Sequence, residues 1–263
     1  MAGQQTIDRS NADFWNTLCG WNMAQAAGIT GDDPDDLGRF DDLYLSFYPY
    51  LPRYVSADLS NKQVLEIGLG FGTLGQLLAS RGARYHGVDI AAEPVLVMKR
   101  RLRALGQPEE QVLQASALDL PFADETFDEV YSIGCLHHTG DLQRSVSEVH
   151  RVLRPEGRAV VMLYYRHSLR RLVYGLRRSL RGGSESSLDD EMRGMYDAHE
   201  TGEAAPHTDF VSRADVKRLF RDFSRLRIEV QNFDGFRFGI KREWFLSNIA
   251  RIAGLDLYIV ADK

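Results

Sequence analysis

Long apolar runs and cysteines are both scarce in this sequence, and each scarcity excludes a class of protein. The 263 residues include two cysteines, Cys19 and Cys135, which are too few for a disulfide framework or a multi-cysteine zinc site. No uninterrupted apolar stretch reaches the roughly 18 residues that a membrane span requires, and the first residues lack the basic-then-apolar pattern of a signal peptide. We therefore expect a soluble, cytoplasmic protein with reduced cysteines and no metal site.

Excess positive charge is also absent, which disfavours a nucleic-acid partner for the chain as a whole. Lysine and arginine total 32 against 37 aspartates and glutamates, for a formal net charge of -5 at pH 7. The segment 166–181 is the exception, because six arginines accompany an apolar stripe at helical spacing. Such a helix suits an anionic substrate, a membrane surface or RNA, or it is a solvated face paired with the acids that follow. Among those acids, Asp189, Asp190 and Glu191 are interpreted as an exposed turn.

From about residue 60 the chain alternates short β-branched runs with helix-like segments, which is the pattern of βαβ units. Strands are predicted at residues 62–67, 83–90, 110–116, 127–134, 157–165, 224–230 and 255–261. With the intervening helices they predict an α/β fold. The regions expected are a helical, aromatic-rich N-terminal cap (1–58), a ligand-binding core (59–165), a lid or insert (166–210) and the end of the same sheet domain (211–263). Residues 182–210 are predicted to be an irregular surface excursion, because they have little apolar periodicity.

Four glycines follow an acidic residue directly after the first predicted strand: Glu66, then Gly68, Gly70, Gly72 and Gly75. A strand that ends in a glycine turn and opens a helix lets backbone N–H groups approach a ligand closely. Asp89 ends the next strand, 21 residues after Gly68, where a carboxylate can accept ribose hydroxyls. The spacing G-x-G-x-G with a nearby acid disfavours a pyrophosphate. The pattern predicts a nucleoside site for a ligand that carries an ammonium group and no phosphate.

Several segments in the correct order resemble one family. "VLEIGLGFG", "GVDI", "ASALDLPFADETFDEVYSIGCLHHTGD" and "EVHRVLRPEGRAVVM", over about residues 60–165, are similar to the motifs of class I S-adenosylmethionine (SAM)-dependent methyltransferases. The nearest branch includes quinone-biosynthesis and other small-molecule methyltransferases. The resemblance implies a Rossmann-like, seven-stranded, mostly parallel sheet with helices on both faces and the last strand antiparallel. It also implies SAM as cofactor, S-adenosylhomocysteine as product and a small-molecule acceptor.

The resemblance assigns residues to the cofactor. Those implied for SAM are, in chain order, Glu66, Gly68, Gly70, Asp89, Ile90, Ser116, Ala117, Leu118, Ile133, Gly134 and Cys135. The first three would line the methionine part, Asp89 would hold the ribose and Ile90 would flank the adenine. Ser116 stands where the family often has an aspartate, and its hydroxyl would bond the adenine amine in place of that carboxylate. The three residues after strand four would pass beside the sulfonium.

Methyl transfer from a sulfonium needs little beyond holding donor and acceptor in near-attack geometry, although a base helps when the acceptor loses a proton. His137 and His138 follow strand four, and His138 is the preferred candidate base; the alternative is that both only close a turn and contact SAM. The residues expected at the acceptor are Tyr44, Tyr48, Tyr164, Tyr165, Arg166, Tyr196 and His207. They suggest an anionic or aromatic small molecule. Phe14, Trp15 and Trp21 could cap the pocket or belong to the core.

Other functions remain open at this point. A methyltransferase of protein or RNA is disfavoured by the net negative charge and by "IGCLHH" where an amine-methylating motif would stand. A nicotinamide-dependent oxidoreductase is disfavoured by Glu66 and the glycine spacing. A partner protein that binds SAM without turnover would carry the same motifs. The oligomeric state is open, and a homodimer is compatible with the sequence.

Overall fold

The computed structural model describes residues 2–17, 21–29, 33–180, 187–198, 202–233 and 242–263. Within them, seven strands form one sheet in the order β3-β2-β1-β4-β5-β7-β6. The strands are β1 (Gln63–Ile67), β2 (Arg84–Asp89), β3 (Val112–Gln114), β4 (Phe127–Ile133), β5 (Leu153–Tyr164), β6 (Arg225–Gln231) and β7 (Asp256–Asp262). Strands β1 to β5 pair in parallel, and β7 runs antiparallel to both β5 and β6. The predicted seven-stranded, mostly parallel α/β sheet is confirmed.

In chain order, the helices within these residues precede the first strand, connect the strands and follow β5. They are α1 (Ala2–Trp15), α2 (Trp21–Ala26), α3 (Pro34–Phe47), α4 (Thr73–Ser80), α5 (Ala92–Ala104), α6 (Leu142–Val152), α7 (Leu169–Leu180), α8 (Leu188–Tyr196), α9 (Arg213–Leu219), α10 (Arg242–Ser247) and α11 (Ala250–Ala253). Short 3-10 turns occupy Leu51–Tyr54 and Leu136–His138. Among the described helices none is both long and apolar enough to cross a bilayer.

Helix α8 corrects the prediction of an irregular excursion over 182–210. Ser187 caps it, because the Ser187 hydroxyl accepts the N–H of Asp190, and Met192 is fully buried. The acidic residues in its first turn also stabilise the helix, because the N-terminal end of a helix carries a partial positive charge. The apolar periodicity of this segment extends over only one turn, which is too short to predict a helix from the sequence. Residues 181–186 and 199–201 lie outside the described residues.

Helices cover both faces of the sheet, as predicted. Successive residues of β4 point to opposite faces: Val130 packs in the cluster that holds α6 and α9, and Tyr131 packs in the cluster that holds α4 and α5. A third cluster joins α3 to the turn after β1 through Phe40 and Phe71, whose rings stack at 4.0 Å. The N-terminal helices are therefore packed on the turn that the sequence singled out.

Candidate functional site

A solvent-open cleft of about 1050 Å³ lies at the carboxyl ends of β1, β2, β3 and β4. Its walls include the turn after β1, residues 89–90, 116–117 and 133–135, and parts of α1 and α3. The carboxyl edge of a doubly wound parallel sheet is where such folds bind ligands. Ten of the eleven residues implied for SAM line this cleft. The exception is Leu118, whose side chain is buried, and which donates its N–H to the Ser116 hydroxyl at 3.2 Å.

Two of the glycines are required by sterics at this cleft. Gly68 has φ of 84°, a region that residues with a Cβ rarely adopt, and a Cβ there would overlap the Cys135 side chain. Gly75 lies in α4, where an added Cβ would be 2.6 Å from the Met98 sulfur and 2.7 Å from Glu66 Oε2. Gly68 thus allows the turn after β1 to approach the loop after β4. Gly75 allows α4 to pack against β1 and α5.

Asp89 has a structural role besides the one the sequence predicts. One carboxylate oxygen accepts the N–H of Leu69 at 2.7 Å, and the other accepts the N–H of Ala91 at 2.9 Å. Burial raises the pKa of Asp89 to about 6, although these bonds act in the opposite direction. Each oxygen keeps a second lone pair, so Asp89 can hold the turn after β1 and still accept a ligand hydroxyl. Sequence reasoning could not find the first role, because the partners are backbone groups.

Glu66 lies in the cleft wall as a buried acid. Its side chain is 2% exposed, and its Oε2 accepts a hydrogen bond from the Tyr85 hydroxyl at 2.5 Å. Burial raises its pKa to about 8. A protonated Glu66 is a poor partner for an ammonium group, so the ion pair expected from the sequence requires this proton to leave.

Binding of SAM at pH 7 is therefore expected to release a proton from Glu66, since a nearby cation favours the carboxylate. Affinity should rise with pH up to about 8, where Glu66 is half ionised without ligand. Calorimetry in buffers of different ionisation enthalpy measures the released protons. The Glu66→Gln variant is the control and should lose this contribution. Equal proton release by both proteins would show that Glu66 does not face the ammonium.

A buried ion pair supports the turn after β1 from behind. Arg101 of α5 donates to the Phe71 carbonyl at 2.7 Å and makes two bonds of 2.8 Å with Asp41 of α3. Asp41 also accepts the hydroxyl of Thr73 at 2.7 Å. These bonds connect α3, the turn after β1, and the start of α4. Sequence reasoning missed Arg101. It lies four residues after buried Val97 in α5, and hence on the inner face of that helix.

The two candidate histidines occupy different positions. His138 lines the cleft, and its ring packs 4.8 Å from that of Trp15 in α1. Its Nδ1 lies 2.7 Å from the carbonyl of His207 in the insert. His137 is fully buried behind it, with its ring 4.1 Å from the Tyr164 ring, and does not line the cleft. Of the two, His138 is therefore the one placed to meet a ligand.

The structure brings some of the expected acceptor residues to this region. Tyr44 lines the cleft and packs on Tyr48 at 4.7 Å. Tyr164, whose ring also contacts that of His137, packs on Tyr196 with the ring centres 4.6 Å apart. The His207 side chain pairs with Asp209 at 3.2 Å, while its carbonyl contacts His138. Tyr44 and Tyr48 thus form one aromatic pair at the cleft, and Tyr164 and Tyr196 form a second pair beside His137.

Tyr165 and Arg166 are directed away from the cleft. Tyr165 follows Tyr164 and packs in the cluster on the opposite face of the sheet, as alternation along an extended chain requires. Arg166 pairs with Asp215 at 3.2 Å and donates to the Phe210 carbonyl at 2.9 Å. Neither side chain reaches the region around His138 among the described contacts.

Three of the four arginines of α7 contact α8. Arg171 is buried and pairs with Asp189, and Arg178 lies 3.4 Å from Glu191. The Arg170 guanidinium lies 4.7 Å from the centre of the Tyr196 ring. These contacts match the structural interpretation of segment 166–181. Among the described residues, no group of three or more His, Cys, Asp or Glu side chains is arranged to hold a metal ion.

The chain is similar to known methyltransferases in both sequence and fold. Residues 65–161 match the methyltransferase domain family. The chain is 33% identical over 140 residues to the fatty-acid O-methyltransferase of Mycolicibacterium smegmatis, covering 52% of this chain and 48% of that protein. It is 36% identical over 103 residues to the demethylmenaquinone methyltransferase of Thermus thermophilus, covering 38% and 46%. The chain thus spans about half the length of the curated relatives it matches.

Solved structures agree at the level of the fold. The geranyl diphosphate C-methyltransferase of Streptomyces coelicolor aligns over 97% of both chains with a TM-score of 0.59 and 16% identity. A possible histamine N-methyltransferase of Thermotoga maritima aligns over 86% of this chain and 96% of its own, with a TM-score of 0.54 and 19% identity. The sheet order, the turn after β1 and the matched domain define a Rossmann-like methyltransferase fold. The chain is thus similar to SAM-dependent methyltransferases in sequence over residues 65–161 and in fold over most of its length.

Proposed function

We propose that this protein transfers a methyl group from SAM to a small-molecule acceptor bound in the cleft. The observation that carries the proposal is the meeting of Asp89, the glycine turn after β1 and the loop after β4 at one edge of the sheet. The curated relatives support it, because those named above act on a fatty acid and a menaquinone precursor by their names. Methylation of protein or RNA is the second candidate, and no described contact favours it.

The residues of the cleft fit SAM. Asp89 offers lone pairs for ribose hydroxyls, Ile90 and Ala117 offer an apolar surface for a purine, and Gly68 leaves room for the methionine part. Asn11 of α1 adds a polar atom: its amide nitrogen donates to the His138 carbonyl at 2.7 Å, while its oxygen is buried without a partner in the described chain. A buried acceptor without a donor is costly, so a donor from a ligand would satisfy it.

In this proposal the chain contributes mainly position. When bound, SAM supplies a methyl group already activated by the positive sulfur. Cys135 and the other residues after β4 would hold the reacting end near His138, while Trp15 and Tyr44 would exclude water from the acceptor side. Several expectations from the sequence stay predictions. They are the SAM roles of the remaining residues, Leu118 included, the domain boundaries, a cytoplasmic location and a homodimer.

The acceptor's chemistry is the less constrained part of the proposal. An aromatic or otherwise apolar acceptor fits the ring of Tyr44, which lines the cleft and packs on Tyr48. An anionic acceptor is less well supported by α7, because three of its four arginines contact α8. The S. coelicolor methyltransferase was solved in complex with geranyl diphosphate, which is an apolar chain on a polar head. We therefore favour an acceptor that presents an apolar surface to the tyrosines.

Label transfer from methyl-labelled SAM into a fractionated lysate tests the function. Label in the small-molecule fraction supports the proposal and provides material for identifying the acceptor. Label in protein or RNA replaces it with the second candidate. If SAM binds in calorimetry and no fraction is labelled, the reading of a SAM-binding partner without turnover replaces it. A direct comparison with a nicotinamide dinucleotide, which should not bind, excludes the oxidoreductase alternative.

A further inference from the structure

One face of helix α7 is apolar and open to solvent. Leu172, Leu176 and Leu180 follow one another at intervals of four residues and are 68%, 62% and 79% exposed. Residues four apart lie on the same face of a helix, so the three side chains form a continuous leucine stripe. Single exposed leucines are ordinary on protein surfaces, whereas a contiguous apolar stripe marks a surface that binds something.

Helix α8 lies against a different side of α7. Arg171 and Arg178 pair with acidic side chains of α8, and a Cβ at Gly175 would lie 3.7 Å from Leu188 of that helix. Positions 171, 175 and 178 share one side of α7, because residues three or four apart are neighbours on a helix surface. Successive residues of a helix are about 100° apart. The leucine stripe therefore lies outside the side that α8 covers.

Positive charge borders the leucine stripe. Helix α7 contains four arginines and no acidic residue, and the acids that neutralise two of the arginines come from α8. Arg177 lies one turn before Leu180, is exposed, and has no ion-pair partner in the described part of the chain. The open face of α7 thus combines an apolar stripe with an uncompensated cation.

The first turn of α7 is packed on the helices that precede β7. Leu169 contacts the apolar cluster that holds Phe245 of α10 and Ala250 of α11, so α7 is anchored to the sheet domain at this end. The same two helices expose the large apolar side chains of Trp244 and Ile252. Leucine and tryptophan on one side and arginine on the other are typical of helices that lie at a membrane surface.

We propose that the leucine stripe and Arg177 dock this protein on an anionic lipid surface, with α7 lying in the plane of the interface. The leucines insert at the boundary between headgroups and acyl chains, and the arginine contacts lipid phosphates. Anionic headgroups attract such a cation electrostatically. The inference goes beyond methyl transfer, because the stripe does not line the cleft and lipid binding needs neither SAM nor an acceptor.

Two other occupants fit the same face less well. A symmetric dimer would place α7 against α7, and each of these helices carries four arginines and no acid, so the two would repel each other. RNA would use the arginine but would leave the leucines in water, because its backbone is anionic. A lipid surface supplies both an apolar layer for the stripe and phosphates for the cation.

Flotation of the full chain with lipid vesicles tests the proposal. The vesicles are phosphatidylcholine alone or phosphatidylcholine with one third phosphatidylglycerol, each at low and at high salt. We expect binding to the anionic vesicles that weakens with salt, because surface charges are screened, and weaker binding to the neutral ones. The double variant Leu172→Ser/Leu176→Ser should lower the partition coefficient about 10- to 100-fold, because it removes apolar area that would leave water. Arg177→Gln should lower it about fivefold.

Matched variants on other surfaces should bind vesicles as the wild type does. Leu96→Ser/Leu105→Ser changes two exposed leucines of α5, and Lys217→Gln removes an exposed cation of α9. Circular dichroism checks that every variant is folded, which is expected because surface substitutions rarely change stability by more than about 0.5 kcal/mol.

Three results would overturn the proposal: no vesicle binding by the wild type, equal binding to neutral and anionic vesicles, or equal losses in the stripe and control variants. Self-association in sedimentation that only the stripe variant abolishes, without vesicle binding, would assign the face to a second copy. Binding of RNA in place of vesicles would assign it to nucleic acid. Absence of methyl transfer with vesicle binding intact would refute the proposed function alone.

Discussion

The Asp89→Ala variant should bind SAM about 5- to 150-fold more weakly than the wild type and should also be less stable. The loss of affinity corresponds to about 1–3 kcal/mol for a bound ligand hydroxyl left without its acceptor. The loss of stability has a separate cause, because the buried N–H groups of Leu69 and Ala91 lose the carboxylate that accepts them. Each stranded donor costs about 1–3 kcal/mol. The two effects together would make this position the most sensitive of the cleft.

Calorimetry with SAM and urea unfolding separate the two effects. Asp119→Ala is the matched control, since Asp119 is an exposed acid in the loop after β3, and it should change neither quantity appreciably. A stable Asp89→Ala protein with weak SAM binding would leave the ribose contact as the sole role. An unstable protein with unchanged affinity would mean that Asp89 only holds the turn after β1. Unchanged values for both would remove Asp89 from the site.

The sequence was sufficient for the sheet and for the residues that meet at its carboxyl edge because their signals are local. β-branched runs predict strands such as β1 and β7 within a few residues of their observed bounds. The spacing from Glu66 to Gly75 reflects a single strand, turn and helix, and Asp89 ends the adjacent strand. Parallel strands bring their carboxyl ends to one edge, so these residues had to meet once the fold class was correct.

The acceptor side was harder because its contacts connect distant parts of the chain. Asp197 lies 3.6 Å from His138 in the structure but 59 residues from it in sequence, at the end of a helix whose short apolar pattern did not distinguish it from a loop. Tyr164 and Tyr165 could not be told apart until the sheet fixed which face each occupies. Arg171 of α7 looks like part of a site until its acidic partner on α8 is known. Local patterns specify the class of fold, whereas pairing across the insert requires coordinates.

Arg101→Met should destabilise the protein by about 2–4 kcal/mol and weaken SAM binding. The methionine keeps much of the aliphatic packing but leaves the Asp41 carboxylate without its cation, and breaking a buried ion pair from one side costs about 3–5 kcal/mol. The expected value is lower because the Asp41 side chain is 19% exposed and keeps the Thr73 hydroxyl. The Phe71 carbonyl in the turn after β1 also loses its donor. The turn should therefore be less well ordered for the cofactor.

A double-mutant cycle in urea distinguishes the ion pair from a packing effect. If the pair is the cause, Asp41→Asn should cost less on the Arg101→Met background than in the wild type, because the uncompensated charge is already removed. Arg103→Met is the matched control, since Arg103 lies on the same helix with its side chain 68% exposed, and exposed pairs contribute about 0–1 kcal/mol. Additive costs for the two substitutions would refute coupling between α3 and α5. Coupled costs with reduced SAM affinity would mean that the N-terminal cap contributes to binding by holding the turn on which the cofactor rests.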